Sequence, residues 1–244
     1  MVKAGCLDGV DEVYGLHNIP NFTAGEVRVC NGGIFSEVTV VKIKVKGHGG
    51  HGSAPHKTRD PINASAHILT GFNAIKARSI SSKENWTFTI CNITSGSTYN
   101  VMPSEAFMQG TLRTYSTEAR DIACKKIRAI AELTAQAHDC EADVELVRYY
   151  PATINHDGPV DCIRRVAEKG FGGASEEDLP ITASEDFSCF LLEKPGAFFC
   201  LGTKRKEDET LHSSTYDFND TCLATGGIFW VKLAEDRLNL NLLK

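Results

Sequence analysis

Three histidines and four glycines fall within ten residues, Gly47-His48-Gly49-Gly50-His51-Gly52-Ser53-Ala54-Pro55-His56. Imidazole donates, accepts or ligates near neutral pH, and glycine lets the backbone turn sharply and approach a ligand closely. Such a loop is either a site or an unusually polar turn. As a site, its strongest position is His51, which could donate to the oxygen that becomes negative when water adds to an amide carbonyl. Four other places could carry chemistry: His17 after Tyr14-Gly15-Leu16, Asn100 in Asn100-Val101-Met102-Pro103, Arg113 in Gly110-Thr111-Leu112-Arg113-Thr114, and His212 in Leu211-His212-Ser213-Ser214. Taken singly, each has a plain alternative. His17 and His212 read as exposed or structural histidines, Asn100 as a turn former, and Arg113 as a solvated charge. Glu185-Asp186 reads as an acidic pair at a helix N-terminus, where carboxylates are favoured.

The elements that must position these residues fall into three stretches. Residues 1–36 read as the end of a helix, a turn at Asp8-Gly9 and a short strand ending at His17, with loops at Asn18-Ile19-Pro20 and Asn31-Gly32-Gly33. Residues 37–150 read as a self-contained unit. Its first strand is Val38–Lys46, where Val41, Ile43 and Val45 alternate with Lys42, Lys44 and Lys46. A helix follows near Pro61–Ala77, capped by Asp60. Strands follow near Trp86–Ile93 and Glu105–Thr114. A long helix covers Thr117–Ala137, capped by Ser116, with Ala119, Ala123, Ile127, Ile130, Leu133 and Ala137 inward, and a strand closes at Ala142–Tyr150. The order βαββαβ is the ferredoxin-like pattern. Residues 151–244 read as a helix near Pro159–Gly170, a strand near Leu179–Thr182, a helix at Glu185–Leu192, a strand at Ala197–Leu201, a polar loop over Gly202–Thr210 and a C-terminal helix near Thr221–Leu240. The expected fold class is therefore α/β with an α+β lid.

Composition bounds the function classes. The 244 residues are 42% hydrophobic and 23% charged with a formal net charge of −5, which suits a globular chain and not a nucleic-acid binder. The βαββαβ unit could be an RNA-binding module, but those stack bases on aromatics of the first and third strands. Here Val38–Lys46 has none and Glu105–Thr114 only Phe107. Nine cysteines with no Cys-x-x-Cys pair fit reduced thiols and a cytoplasmic chain. Asn21, Asn63, Asn85, Asn92 and Asn219 in Asn-x-Ser/Thr keep a secretory route open. No run is long and apolar enough to suggest a membrane span.

Gly-Gly-His-x-x-x-Pro-His after a Lys/Val/Ile strand resembles the M20 metallopeptidase family, in particular its amidohydrolase branch of hippurate hydrolases, N-acyl-amino-acid amidohydrolases and indole-acetyl-amino-acid hydrolases. Tyr14-Gly15-Leu16-His17, Asn100-Val101-Met102-Pro103, Gly110-Thr111-Leu112-Arg113, Ser184-Glu185-Asp186-Phe187 and the motif around His212 are similar to further family motifs, in order. The resemblance implies a partial zinc-peptidase-like catalytic domain over 1–36 and 151–244, with an inserted lid over 37–150 that forms a homodimer. It implies that His17 and His212 bind metal, with two divalent ions of zinc, manganese or cobalt in a complete site. His51 would hold the oxyanion, in some members at the partner subunit's centre. Asn100 would contact the substrate, and Arg113 would bind its carboxylate, both at the end of the lid facing the active site. Glu185 would line the site without being a ligand.

The implied reaction is hydrolysis of an N-acyl-amino acid by metal-activated water. The family's His-x-Cys-Gly-His-Asp segment and Glu-Glu pair, which carry the other ligands and the general base, precede the point where this chain starts. The resemblance thus implies an N-terminally truncated chain, inactive alone, with an open sheet edge and an exposed apolar face. The alternative is a non-catalytic binding or dimerising relative.

Overall fold

The computed structural model describes residues 1–205 and 210–240. The chain is mixed α/β and divides into two compact units, Met1–Ser36 with Thr153–Lys244, and Glu37–Ala152. The first unit opens with β1 (Val13–Ile19), β2 (Val27–Arg28) and β3 (Gly32–Phe35). The second carries β4 (Glu37–Lys46), β5 (Gly50–His51), α1 (Pro61–Arg78), β6 (Trp86–Ser95), β7 (Val101–Met102), β8 (Glu105–Thr114), α2 (Thr117–Ala137) and β9 (Glu141–Arg148). The chain returns to the first unit with β10 (Thr153–Asn155), α3 (Asp157–Gly170), β11 (Ala174–Ser175), α4 (Ser188–Leu191), β12 (Gly196–Gly202) and α5 (Thr221–Leu238).

The second unit is an antiparallel sheet in the order β6-β8-β4-β9, the ferredoxin-like arrangement. The period-two alternation of β4 buries Val41, Ile43 and Val45 with Ile68, Phe72, Met108, Leu112 and Ile127. The opposite face holds charge: Lys42 pairs with Glu145 at 3.2 Å, Lys44 with Glu105 at 2.7 Å, and Lys46 with Asp143. Both helix caps form as the residue types require. Asp60 accepts from the Ile62 and Asn63 amides, and Ser116 from that of Ala119. The inward stripe of α2 departs from expectation. It runs Ala119, Ala123, Ile127, Ala131 and Ala135, while Leu133 is 65% exposed. Small residues dominate where the two helices approach, and Ile130 lies against Gly71, whose added Cβ would stand 3.0 Å from Ile130 Cγ2.

In the first unit a mixed sheet runs β1-β12-β2-β11, with β1 parallel to β12 and β12 antiparallel to β2. Every residue of β12 is buried, as a strand covered on both faces must be. Ala197, Phe199 and Leu201 face α3 and α5, in a cluster with Val160, Ile163, Phe229 and Leu233. Phe198 and Cys200 face a second cluster with Ile19, Phe22, Ile34 and Phe35. Buried Asn155 ties the two layers: its amide donates to the carbonyls of Cys30 and Phe198 and its oxygen accepts from the Phe198 amide at 2.7 Å.

Several sequence expectations are corrected here. Strand β1 continues past His17 to Ile19, and Val2–Ala4 forms only a short 3-10 turn. The strand expected at Leu179–Thr182 is a single bridge between Phe35 and Ile181, because Pro180 has no N–H to extend a ladder. The helix expected over Glu185–Leu192 is the four-residue α4. Residues 206–209 of the expected Gly202–Thr210 loop lie outside the described residues. Strand β1 pairs only with β12 among the described strands, and α5 leaves Leu223 61% and Ile228 47% exposed. No described helix is long and apolar enough to cross a membrane.

Candidate functional site

Strand β1 carries His17 beside Cys200 of β12. The ring is half-buried, with the Phe35 ring 6.3 Å away. His17 Nδ1 lies 2.8 Å from the Asn18 carbonyl oxygen. A carbonyl only accepts, so this bond places the proton on Nδ1 and leaves Nε2 with a free lone pair. That is the tautomer a metal-ligating histidine takes when its other nitrogen is held by the protein. His212 is exposed and backbone-left-handed at φ 64. Its neighbours fix it: Leu211 packs on the Ile19–Phe35 cluster, and Asn18 donates to the Tyr216 hydroxyl at 2.6 Å. That bond ties the His212 loop to the residue following His17. Asn219 anchors the far end, donating to the Lys204 carbonyl and accepting from Thr221.

Glu185 also belongs to this neighbourhood. Burial pushes its carboxyl up, and hydrogen bonding to the Asp186 carboxyl adds to the rise; the Phe187 amide, the first of the opposing effects, and the nearby His17 imidazole, when charged, pull it down. Among the described residues no three His, Cys, Asp or Glu side chains converge as a metal site. The donor chemistry of His17 therefore fits part of a ligand set. A cavity of about 1210 Å³ between Thr23–Glu26, α3 and α5 contains none of the candidate residues.

In the second unit the ladder between β4 and β8 does not stop at Lys46 and Glu105. Gly47 donates to the Ser104 carbonyl at 2.8 Å, Gly50 and His51 of β5 pair with Met102 and Val101 of β7, and Gly52 donates to the Asn100 carbonyl at 2.9 Å. His51 and Asn100 are thus brought together on one two-stranded arm. Glycine is obligatory at position 47, where a Cβ would stand 2.1 Å from the Arg59 carbonyl oxygen. The His51 ring is held from within its own turn: Nδ1 lies 3.1 Å from the Ser53 amide and 2.7 Å from its hydroxyl. Neither Ser53 nor Asn18 stands out in the sequence; the only signal is adjacency to a candidate histidine.

Arg113 lies elsewhere. It pairs with Val38 of β4 and Thr87 of β6, at the opposite end of β8 from Glu105. Eight residues at about 3.4 Å each put roughly 27 Å between the Cα atoms of Glu105 and Arg113, with the arm beyond Glu105. The expectation that Asn100 and Arg113 share one end of the lid is corrected by this register. They stand at opposite ends.

Residues 38–139 match the peptidase dimerisation domain of the M20 peptidases. N-acetylcysteine deacetylase of Bacillus subtilis is 30% identical over 96% of this chain and 61% of its own length. Hippurate hydrolase of Campylobacter jejuni is 32% identical over 96% and 62%, and thermostable carboxypeptidase 2 of Saccharolobus solfataricus 32% over 96% and 60%. Among solved structures, the Bacillus subtilis YXEP protein, a dinuclear metal-binding peptidase, superposes with a TM-score of 0.82 at 25% identity, covering 98% of this chain and 61% of that one. Aminopeptidase PepT of Bacillus cereus shares the fold at a TM-score of 0.73 and 21% identity, covering 91% and 57%. The fold is that of a two-unit peptidase with an inserted dimerisation domain. The chain carries the dimerisation domain of the M20 peptidases over residues 38–139, and it spans about three fifths of the length of the curated relatives it matches.

Proposed function

We propose that this chain is part of a metal-dependent amidohydrolase that splits the amide bond of N-acyl-amino acids, acting as a homodimer through residues 37–152. Two relatives whose names specify N-acyl-amino-acid chemistry, a deacetylase of N-acetylcysteine and a hydrolase of hippurate, support the substrate class. His17 and His212 would hold divalent metal, zinc, manganese or cobalt. When bound, such an ion polarises a carbonyl and makes water a stronger nucleophile near neutral pH. His51 donates to the carbonyl oxygen as it gains charge, Asn100 contacts the substrate, and Arg113 receives the carboxylate in its planar fork.

The separation along β8 carries the dimeric reading. An N-acyl-amino acid is far shorter than roughly 27 Å, so one lid cannot bring His51 and Arg113 to one molecule. Two lids in a symmetric dimer can, each giving one end to each site.

The test is hydrolysis of N-acetylcysteine and hippurate by purified protein supplied with manganese or zinc, with metal content measured in parallel. Turnover that disappears, together with bound metal, in His17→Ala and His212→Ala supports the reading. Full turnover in both variants would sink it. The absence of a three-ligand cluster among the described residues favours one second reading, a binding and dimerising relative. Substrate binding in a dimer without turnover would select it.

A further inference from the structure

The geometry assigns Ser53 as the positioning residue that sets the tautomer of His51, keeping its proton on Nε2 and that N–H free to donate. The role of that donor rests on the amidohydrolase reading; the tautomer does not. The reasoning starts from the Ser53 amide, which lies 3.1 Å from Nδ1. A backbone N–H can only donate, so Nδ1 must present a lone pair. A neutral imidazole with a bare Nδ1 carries its hydrogen on Nε2. The Ser53 hydroxyl, 2.7 Å from the same nitrogen, then donates as well. The opposite tautomer would aim a second hydrogen at the amide and lose that bond, leaving only the hydroxyl, turned round to accept.

The turn makes this arrangement intrinsic to the loop. Ala54 donates to the His51 carbonyl at 2.9 Å, closing a four-residue turn, while Gly52 donates to Asn100 across the arm. A Cβ at Gly52 would meet the Asn100 carbonyl oxygen at 3.2 Å, so the position favours glycine. The turn leads the chain from His51 directly back over its own ring. Nε2 makes no hydrogen bond among the described residues, so its N–H is left free at an exposed position. The arrangement is the reverse of that at His17, where a carbonyl draws the proton to Nδ1 and bares Nε2. One imidazole is set as a Lewis base and the other as a hydrogen-bond donor, each by a backbone group within two residues.

The test is nitrogen-15 NMR of the 244-residue chain labelled at histidine, near pH 8.5 where imidazole is neutral, with His51 assigned by its loss in His51→Gln. The expected result is a bare Nδ1 and a protonated Nε2 for His51, more uniformly than in a blocked histidine peptide. Ser53→Ala, which keeps the amide but removes the hydroxyl, should shift the ratio toward the peptide's, and Ser53→Thr should restore it. A wild-type His51 with the peptide's mixture, or with its proton on Nδ1, overturns the assignment. In the hydrolysing protein Ser53→Ala should lower kcat about fivefold with KM unchanged, the size expected for one hydrogen bond. If His51→Gln leaves turnover intact while the spectra are as expected, the donor role fails and the tautomer assignment stands.

Discussion

Asp236 shows how much a single side chain can hold. It accepts from Arg165 at 2.8 Å, from Lys169 at 3.1 Å and from the Cys162 thiol. The Arg165 hydrogen bond, above all, depresses its carboxyl to about 2. An unfolded aspartate titrates near 3.9, so this contribution is complete above about pH 4 and is lost as the pH falls toward 2. Asp236→Asn should cost about 1–2 kcal/mol at pH 7, screening at the exposed cations included. The gap from wild type should narrow to well under half in urea melts at pH 2.5; a gap that stays constant would refute the assignment. At this scale the sequence was partly legible. His17, His51, Asn100, Arg113 and His212 are visible because their neighbours form recognisable strings. The tautomers of His17 and His51 are not visible, because each depends on a backbone group whose direction only the folded turn defines. The ends of β8 are a similar case: residue types name Asn100 and Arg113, but register decides that they stand apart.

Element by element, legibility follows length and exposure. Strands β4, β6, β8 and β9 have one face open and are eight to ten residues long, so their alternation is readable. Strands β2, β3, β10 and β11 have two to four residues, too few to show a period. They exist because strand β12 and the chain around Asn155 give them partners. Helix α2 is readable in extent but not in rotation, since alanine gives little hydrophobic contrast between faces. The arm of β5 and β7 depends on glycine at its root. Gly47→Ala should force the chain away from the Arg59 carbonyl, costing about 1–3 kcal/mol, and should reduce turnover at least tenfold. Circular dichroism melts and steady-state kinetics check both; unaltered kcat would show that the arm is not needed in this position.

On the scale of the whole molecule, the two units have separate cores. The 37–152 unit buries its own cluster from Val41 to Cys140 between one sheet face and two helices, and its other sheet face is a ladder of paired charges. It should fold when expressed alone, with a cooperative melt, and sediment as a dimer. Ile127→Ala, at a fully buried position, should lower its stability by about 2–5 kcal/mol. A monomeric or molten 37–152 fragment would contradict the picture of an autonomous dimerising unit.

The roughly 27 Å of β8 between Glu105 and Arg113 has a consequence for genetics. On the proposed dimeric reading, the His51 end of one lid and the Arg113 end of the other would serve the same substrate. A chain carrying His51→Gln and a chain carrying Arg113→Ala would each be dead as homodimers. Mixed in one cell, they complement: one site collects both lesions and the other collects none. Random pairing then returns roughly a quarter of the wild-type sites. Two recessive alleles at opposite ends of one strand would look, by phenotype, like mutations in two different genes.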